Sequence, residues 1–64
     1  MRIDGAKLVY QLAKNDMTQI RLAEIVGVSK ATINYIRGGK RCSDETGKKI
    51  ADALGVDVTE ILED

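Results

Sequence analysis

The 64 residues predict an all-α fold, a compact bundle of five short helices. Three observations predict it. Apolar residues recur at spacings of three and four, without Pro and with few β-branched runs, a pattern of amphipathic helices rather than strands. Asp4, Thr18, Ser29 and Asp57 are good N-cap residues. Each has one apolar residue just before it and another four positions on: Ile3 with Leu8, Met17 with Leu22, Val28 with Ile33, and Val56 with Ile61, the staple that fixes a helix start. Turn formers separate these starts, at Asn15-Asp16, Gly27, Gly38-Gly39 and Gly55.

The first helix is expected from about Asp4 to Lys14, with Leu8 and Leu12 inward, Tyr10 and Lys14 outward, and Met1 and Arg2 frayed. Thr18 starts the second, where Leu22, Ala23 and Val26 share one side, and Gly27 ends it by taking the left-handed conformation. The third helix spans about 29–38. Ile33 and Ile36 point inward, which leaves Lys30, Ala31, Asn34, Tyr35 and Arg37 facing out. A basic loop, Gly38 to Cys42, follows. Ser43 caps a fourth helix that runs to Leu54 with Ile50, Ala51 and Leu54 inward, and Asp44 and Glu45 suit its positive end. Gly47 inside it costs on the order of 1 kcal/mol relative to Ala and points to marginal stability or a close helix approach. A fifth short helix is expected over Val58 to Leu62, with Asp57 and Glu60 as a capping box.

Length and composition bound the function. The chain reads as one domain, 1–64, that buries roughly 60% of its unfolded surface. Its apolar runs are too short to span a bilayer, no signal peptide opens it, and one Cys permits no internal disulfide, so a cytoplasmic setting is expected. There is no His, no metal-ligand cluster and no phosphate-binding glycine loop; no enzyme activity, cofactor, metal, small-molecule substrate or membrane partner is expected. Cys42 lies beside Lys40 and Arg41, which would favour a reactive thiol, but a plain loop residue is the better reading. Net charge is zero, yet its distribution is uneven. Lys30, Arg37, Lys40 and Arg41 lie between Ile25 and Ser43 with no acid among them, whereas Asp52, Asp57, Glu60, Glu63 and Asp64 crowd the end with no base. A local basic face can hold phosphates in a neutral protein.

Gln19 to Gly39 carries two short helices on a tight turn, the spacing of a helix-turn-helix over about 18–38, whose second helix enters the DNA major groove. The runs TQIRLAEIVGVSKATINYIRGGKR, ETGKKIADALGV and TEIL resemble the XRE-type, lambda-repressor/Cro-like helix-turn-helix family from about Asp4 to Leu62. The resemblance implies five packed helices, a lambda-repressor-like domain, and sequence-specific binding of double-stranded DNA, usually as a homodimer that represses transcription. Carried over position by position, it implies base contacts from Lys30, Ala31 and Tyr35, with Thr32 and Asn34 beside them. It implies phosphate contacts from Thr18, Gln19, Lys40 and Arg41. Many relatives pair an Arg late in the first helix with a Glu before the loop. Here Ala13 and Arg37 stand there, so the pair is absent and Arg37 is free for a phosphate. Ile20 and Ile25 replace charged residues on the outside of the second helix. The alternative is a protein-interaction module, antitoxin-like or anti-repressor, on the same scaffold. Val58, Ile61 and Leu62 are candidates for a dimer surface.

Overall fold

A computed structural model describes residues 1–64. Four α-helices follow one another: α1 Gly5–Lys14, α2 Gln19–Val26, α3 Lys30–Arg37 and α4 Asp44–Leu54. The starts of all four α-helices are capped as their residue types dictate. Asp4 Oδ1 accepts from Lys7 N at 3.0 Å, Thr18 Oγ1 from Arg21 N at 3.0 Å, Ser29 Oγ from Thr32 N at 3.1 Å and Ser43 Oγ from Thr46 N at 3.1 Å. Each bond satisfies an amide that has no partner within its own helix. The stops agree as well. Gly27 and Gly55 are left-handed, and Asp16 takes the same region at φ 52°, which a short polar side chain tolerates.

One core cluster holds the bundle together. Leu8, Leu12, Leu22, Ala23, Val26, Ile33, Ile36, Ile50, Ala51 and Leu54, the inward residues of the sequence pattern, are all buried, joined by Ile3 and Ile61. Gln11 is the buried polar side chain among them, and its Oε1 accepts no hydrogen bond from the protein.

Three expectations are corrected. The fifth helix is not formed: Val58–Glu60 is a single 3₁₀ turn. Asp57 Oδ1 accepts from both the amide and the hydroxyl of Thr59, at 2.9 and 2.8 Å, a tight turn closed two residues on rather than the three of an α-helical cap. Glu60 makes no reciprocal side-chain bond to Asp57. The Ile61 carbonyl then accepts from Asp4 N at 2.8 Å and Leu62 bridges to Ile3, so the chain leaves the helical path. Second, Met1 and Arg2 are not frayed. Cys42 N donates to the Met1 carbonyl at 2.9 Å, Glu63 N donates to the Arg2 carbonyl at 3.1 Å, and Ile3 is fully buried. Third, Ile61 is fully buried and Val58 and Leu62 are half-buried, so Ile61 is core and unavailable to a dimer surface.

Two glycines mark close approaches. The site where a Gly47 Cβ would stand is filled by the Met1 thioether, so the neighbour is the N-terminal segment and not another helix. A Cβ on Gly5 would overlap the backbone carbonyl of Arg37, which seats the start of α1 against the end of α3.

Candidate nucleic-acid interface

The surface of interest begins at Gly27. Its φ of 86° and ψ of 29° turn the chain sharply, and Gly27 N and Val28 N both donate to the Ala23 carbonyl, at 2.8 and 3.0 Å. Ser29 then starts α3 on a new axis, with Val28 packed on the core below it. Ile33 and Ile36 anchor α3 from inside, so the opposite side faces outward by the period of the helix. Lys30, Ala31, Asn34 and Tyr35 are exposed there, Tyr35 to 64%. Thr32 lies at one edge of this face, half-buried. Its hydroxyl is 3.0 Å from Ser29 Oγ, so part of its hydrogen-bonding capacity serves the cap. Arg37 is exposed at the opposite edge, roughly in line with Lys30.

Helix α2 contributes its first turn. Thr18 is exposed and occupied as the cap. Gln19 Nε2 donates to Asn34 Oδ1 at 2.7 Å, a bond between the two helices that orients both amides and leaves the Asn34 NH2 free to donate outward. On the other side of α3, Tyr35, Thr32, Lys40, Arg41, Ser43 and Thr46 surround a cleft of about 370 Å3 floored by Ile36 and Cys42. Gly39, at φ 99°, and the bond from Lys40 N to the Tyr35 carbonyl at 3.0 Å fold the loop back to place its two cations beside Tyr35. Thr32, Tyr35, Lys40 and Arg41 thus share one cleft, Gln19 and Asn34 share one bond, and Arg37 stands apart, on the edge nearer to α1.

The electrostatics follow from what is missing around these cations. The ion pairs of the structure involve Lys7 with Asp64, Lys49 with Glu45, and the Met1 amine with Asp44. Lys30, Arg37, Lys40 and Arg41 are in none of them. The five carboxylates from Asp52 onward lie at the end of α4 and on the C-terminal segment, and Asp44 and Glu45, which open α4 after the basic loop, are paired with the Met1 amine and Lys49. Burial raises the pKa of the Cys42 thiol above its ordinary value, partly offset by the nearby Met1 amine and reinforced by Asp44. That opposes the thiolate and leaves Cys42 a packing residue of the cleft floor. No group of His, Cys, Asp or Glu side chains could hold a metal ion, and no helix is long and apolar enough to cross a membrane. Ile20 and Ile25 are exposed, at 55% and 46%, and Val9 and Tyr10 stand out from α1.

The sequence did not point to Ser43 and Thr46 as lining the cleft, although their place at the start of α4 beside a basic loop is a usable signal. Nor did it point to Arg2, which pairs across from Arg41 and has no local signal at all.

No curated protein matches the chain. Among solved structures it is similar to a mutant of hydroxyethylphosphonate dioxygenase (TM-score 0.86, 23% identity) and to native PhpD with cadmium (TM-score 0.84, 22% identity). A further structure, PhpD with cadmium and hydroethylphosphonate, is similar at TM-score 0.83 and 22% identity. Each similarity covers 100% of this chain and 14% of the other, so the chain spans about one seventh of those proteins and the likeness concerns the fold. The model of the Cro/C1-type HTH DNA-binding domain matches residues 7–64, the turn at Gly27 and the whole of α3 included. The chain therefore belongs to the Cro/C1-type helix-turn-helix family of DNA-binding domains.

Proposed function

We propose that this domain is a sequence-specific transcriptional regulator, a repressor that binds DNA as a homodimer and carries out no catalysis. The observation that carries the reading is the exposed side of α3 flanked by four cations without acidic partners, in a chain whose total charge is zero. With α3 in the major groove, Lys30 donates to guanine O6 and N7, Ala31 meets a thymine methyl, and the free Asn34 amide and the Thr32 and Tyr35 side chains complete the reading surface. Thr18 and Gln19, at the amide-rich start of α2, meet a phosphate on one side. Lys40 and Arg41 meet the backbone beyond the cleft, and Arg37 the edge nearer α1. Two copies then read half-sites roughly 34 Å apart.

Titrating cognate and scrambled duplexes over several salt concentrations tests the division of roles. Lys40→Ala or Arg41→Ala weakens both duplexes alike and lowers the salt slope by about one for each protomer, about two for the dimer. Lys30→Ala or Tyr35→Ala changes which duplex is preferred. Equal losses on both duplexes for all four variants refute the division.

A second reading is favoured by the exposed Ile20 and Ile25 on α2, which DNA binding leaves unused. On that reading the domain is a protein-interaction module of the antitoxin or anti-repressor kind. A chain that fails to bind any duplex at low salt but holds a co-purified protein, released by Ile20→Glu, supports it.

A further inference from the structure

We infer that Arg2 and Arg41 together form a second phosphate seat, at the outer end of the basic loop, and that the N-terminal segment is thereby part of the DNA contact. The inference rests on the DNA-binding reading above and extends it to residues outside the helix-turn-helix.

Arg2 stands directly opposite Arg41 in an antiparallel bridge. Residues so paired carry their side chains on the same face with Cβ atoms roughly 4.5–5.5 Å apart, and like charges there repel. The pairing is nonetheless firmly held. Cys42 N donates to the Met1 carbonyl at 2.9 Å, the Met1 amine donates to the Cys42 carbonyl at 2.8 Å, and the buried Ile3 anchors the next residue in the core. Both guanidinium groups are exposed and neither joins an ion pair. Two forced-together cations that share no ion pair, with Glu63 as the one carboxylate bordering them, are an arrangement that an anion relieves. A guanidinium fork matches two oxygens of one phosphate, and two forks on one face can clasp it from both sides.

The position of Arg41 says which anion. It is the wall shared by two hollows. On one side is the cleft with Thr32, Tyr35 and Lys40; on the other is a hollow of about 400 Å3 lined by Met1, Arg2, Leu62 and Glu63. A DNA strand that follows the loop from Lys40 to Arg41 meets Arg2 next. Glu63 borders the second hollow without pairing to either arginine, so its carboxylate opposes a phosphate placed there.

The test compares the full chain with Arg2→Gln, Arg2→Lys and Glu63→Gln on one cognate and one scrambled duplex, over a range of salt concentrations, with thermal melting of each free protein alongside. Loss of one phosphate contact in each protomer lowers the salt slope of the dimer by about 1.8, which is roughly a sixtyfold loss of affinity near 0.1 M salt. The expected result is that loss for Arg2→Gln, equal on both duplexes, with a melting temperature unchanged or higher because the repulsion with Arg41 is gone. Arg2→Lys keeps the slope, and Glu63→Gln tightens binding. Unchanged slope and affinity for Arg2→Gln, in a parent chain that binds DNA, overturn the inference alone. Weaker binding with an unchanged slope and a lowered melting temperature also overturn it, since Arg2 is then only structural. A parent chain that binds neither duplex at low salt overturns the DNA-binding reading itself.

Discussion

Replacing Gly5 with Ala adds one methyl group at the first position of α1, and the structure says where it goes. The added Cβ overlaps the Arg37 carbonyl oxygen, with the Arg37 carbonyl carbon 3.4 Å away and its Cγ 3.7 Å away. Because the obstacle is backbone, relief requires α1 and the end of α3 to separate. Such overpacking typically costs about 1–3 kcal/mol. A domain of this length holds roughly 3–10 kcal/mol in all, so the loss is a large share of it. At about 4–8 °C per kcal/mol, melting should fall by roughly 5–20 °C. Gly47→Ala is the control. It too creates an overlap, but with the end of the flexible Met1 side chain, and it gains about 1 kcal/mol of helix propensity. Its melting temperature should stay within a few degrees of the parent, by the same conversion. Circular dichroism melts of the three proteins decide the matter. A Gly5→Ala protein as stable as the parent, or a Gly47→Ala protein that loses more than Gly5→Ala, refutes the reasoning that backbone obstruction governs the cost.

Other outcomes follow from the same structure. Ser29→Ala removes the α3 cap and should cost about 1 kcal/mol, read by denaturant unfolding with an unchanged m-value. Gln11→Met replaces a buried amide whose Oε1 has no protein donor by an apolar chain of similar length, and should stabilise the fold by about 1 kcal/mol in the same assay. The Asp57 carboxyl is held below its ordinary value of 3.8 by the amide and hydroxyl of Thr59. A lowered folded-state value means stability that is present above the ordinary value and lost as pH falls through the folded one. Melting of Asp57→Ala should therefore differ from the parent at neutral pH and converge on it in strong acid. Cys42 should react with iodoacetamide at neutral pH more slowly than a free cysteine in a peptide, because burial disfavours its thiolate.

The core and the four helix starts were legible in the sequence because both are local. A spacing of three or four residues fixes a buried side, and an N-cap acts on amides two or three positions away. The side of α3 that faces out follows from Ile33 and Ile36 alone. What was not legible depends on partners far along the chain. Asp57 looked like a helix cap, and only the bonds from Asp4 N to the Ile61 carbonyl and from Glu63 N to the Arg2 carbonyl, which bridge Ile3 to Leu62, divert the segment after one turn. The place of Ile61 in the core was in fact signalled by its pairing with Val56 across the Asp57 turn, a cue that conflicts with offering it to a dimer surface. Arg2 shows no pattern of its own, and its position beside Arg41 comes entirely from the pairing of Met1 with Cys42. Gly5 gave no signal either, since a residue at the first helical position is not expected to need the absence of a side chain.

The joining of Met1–Ile3 to residues forty and sixty positions away has a kinetic consequence. Helical hairpins such as α2 with α3 close over short stretches and form early, whereas this clasp must wait for nearly the whole chain to be gathered in. Substitutions within it should therefore leave the refolding rate almost unchanged and speed unfolding instead, and its amides should exchange with solvent before those of α2 and α3.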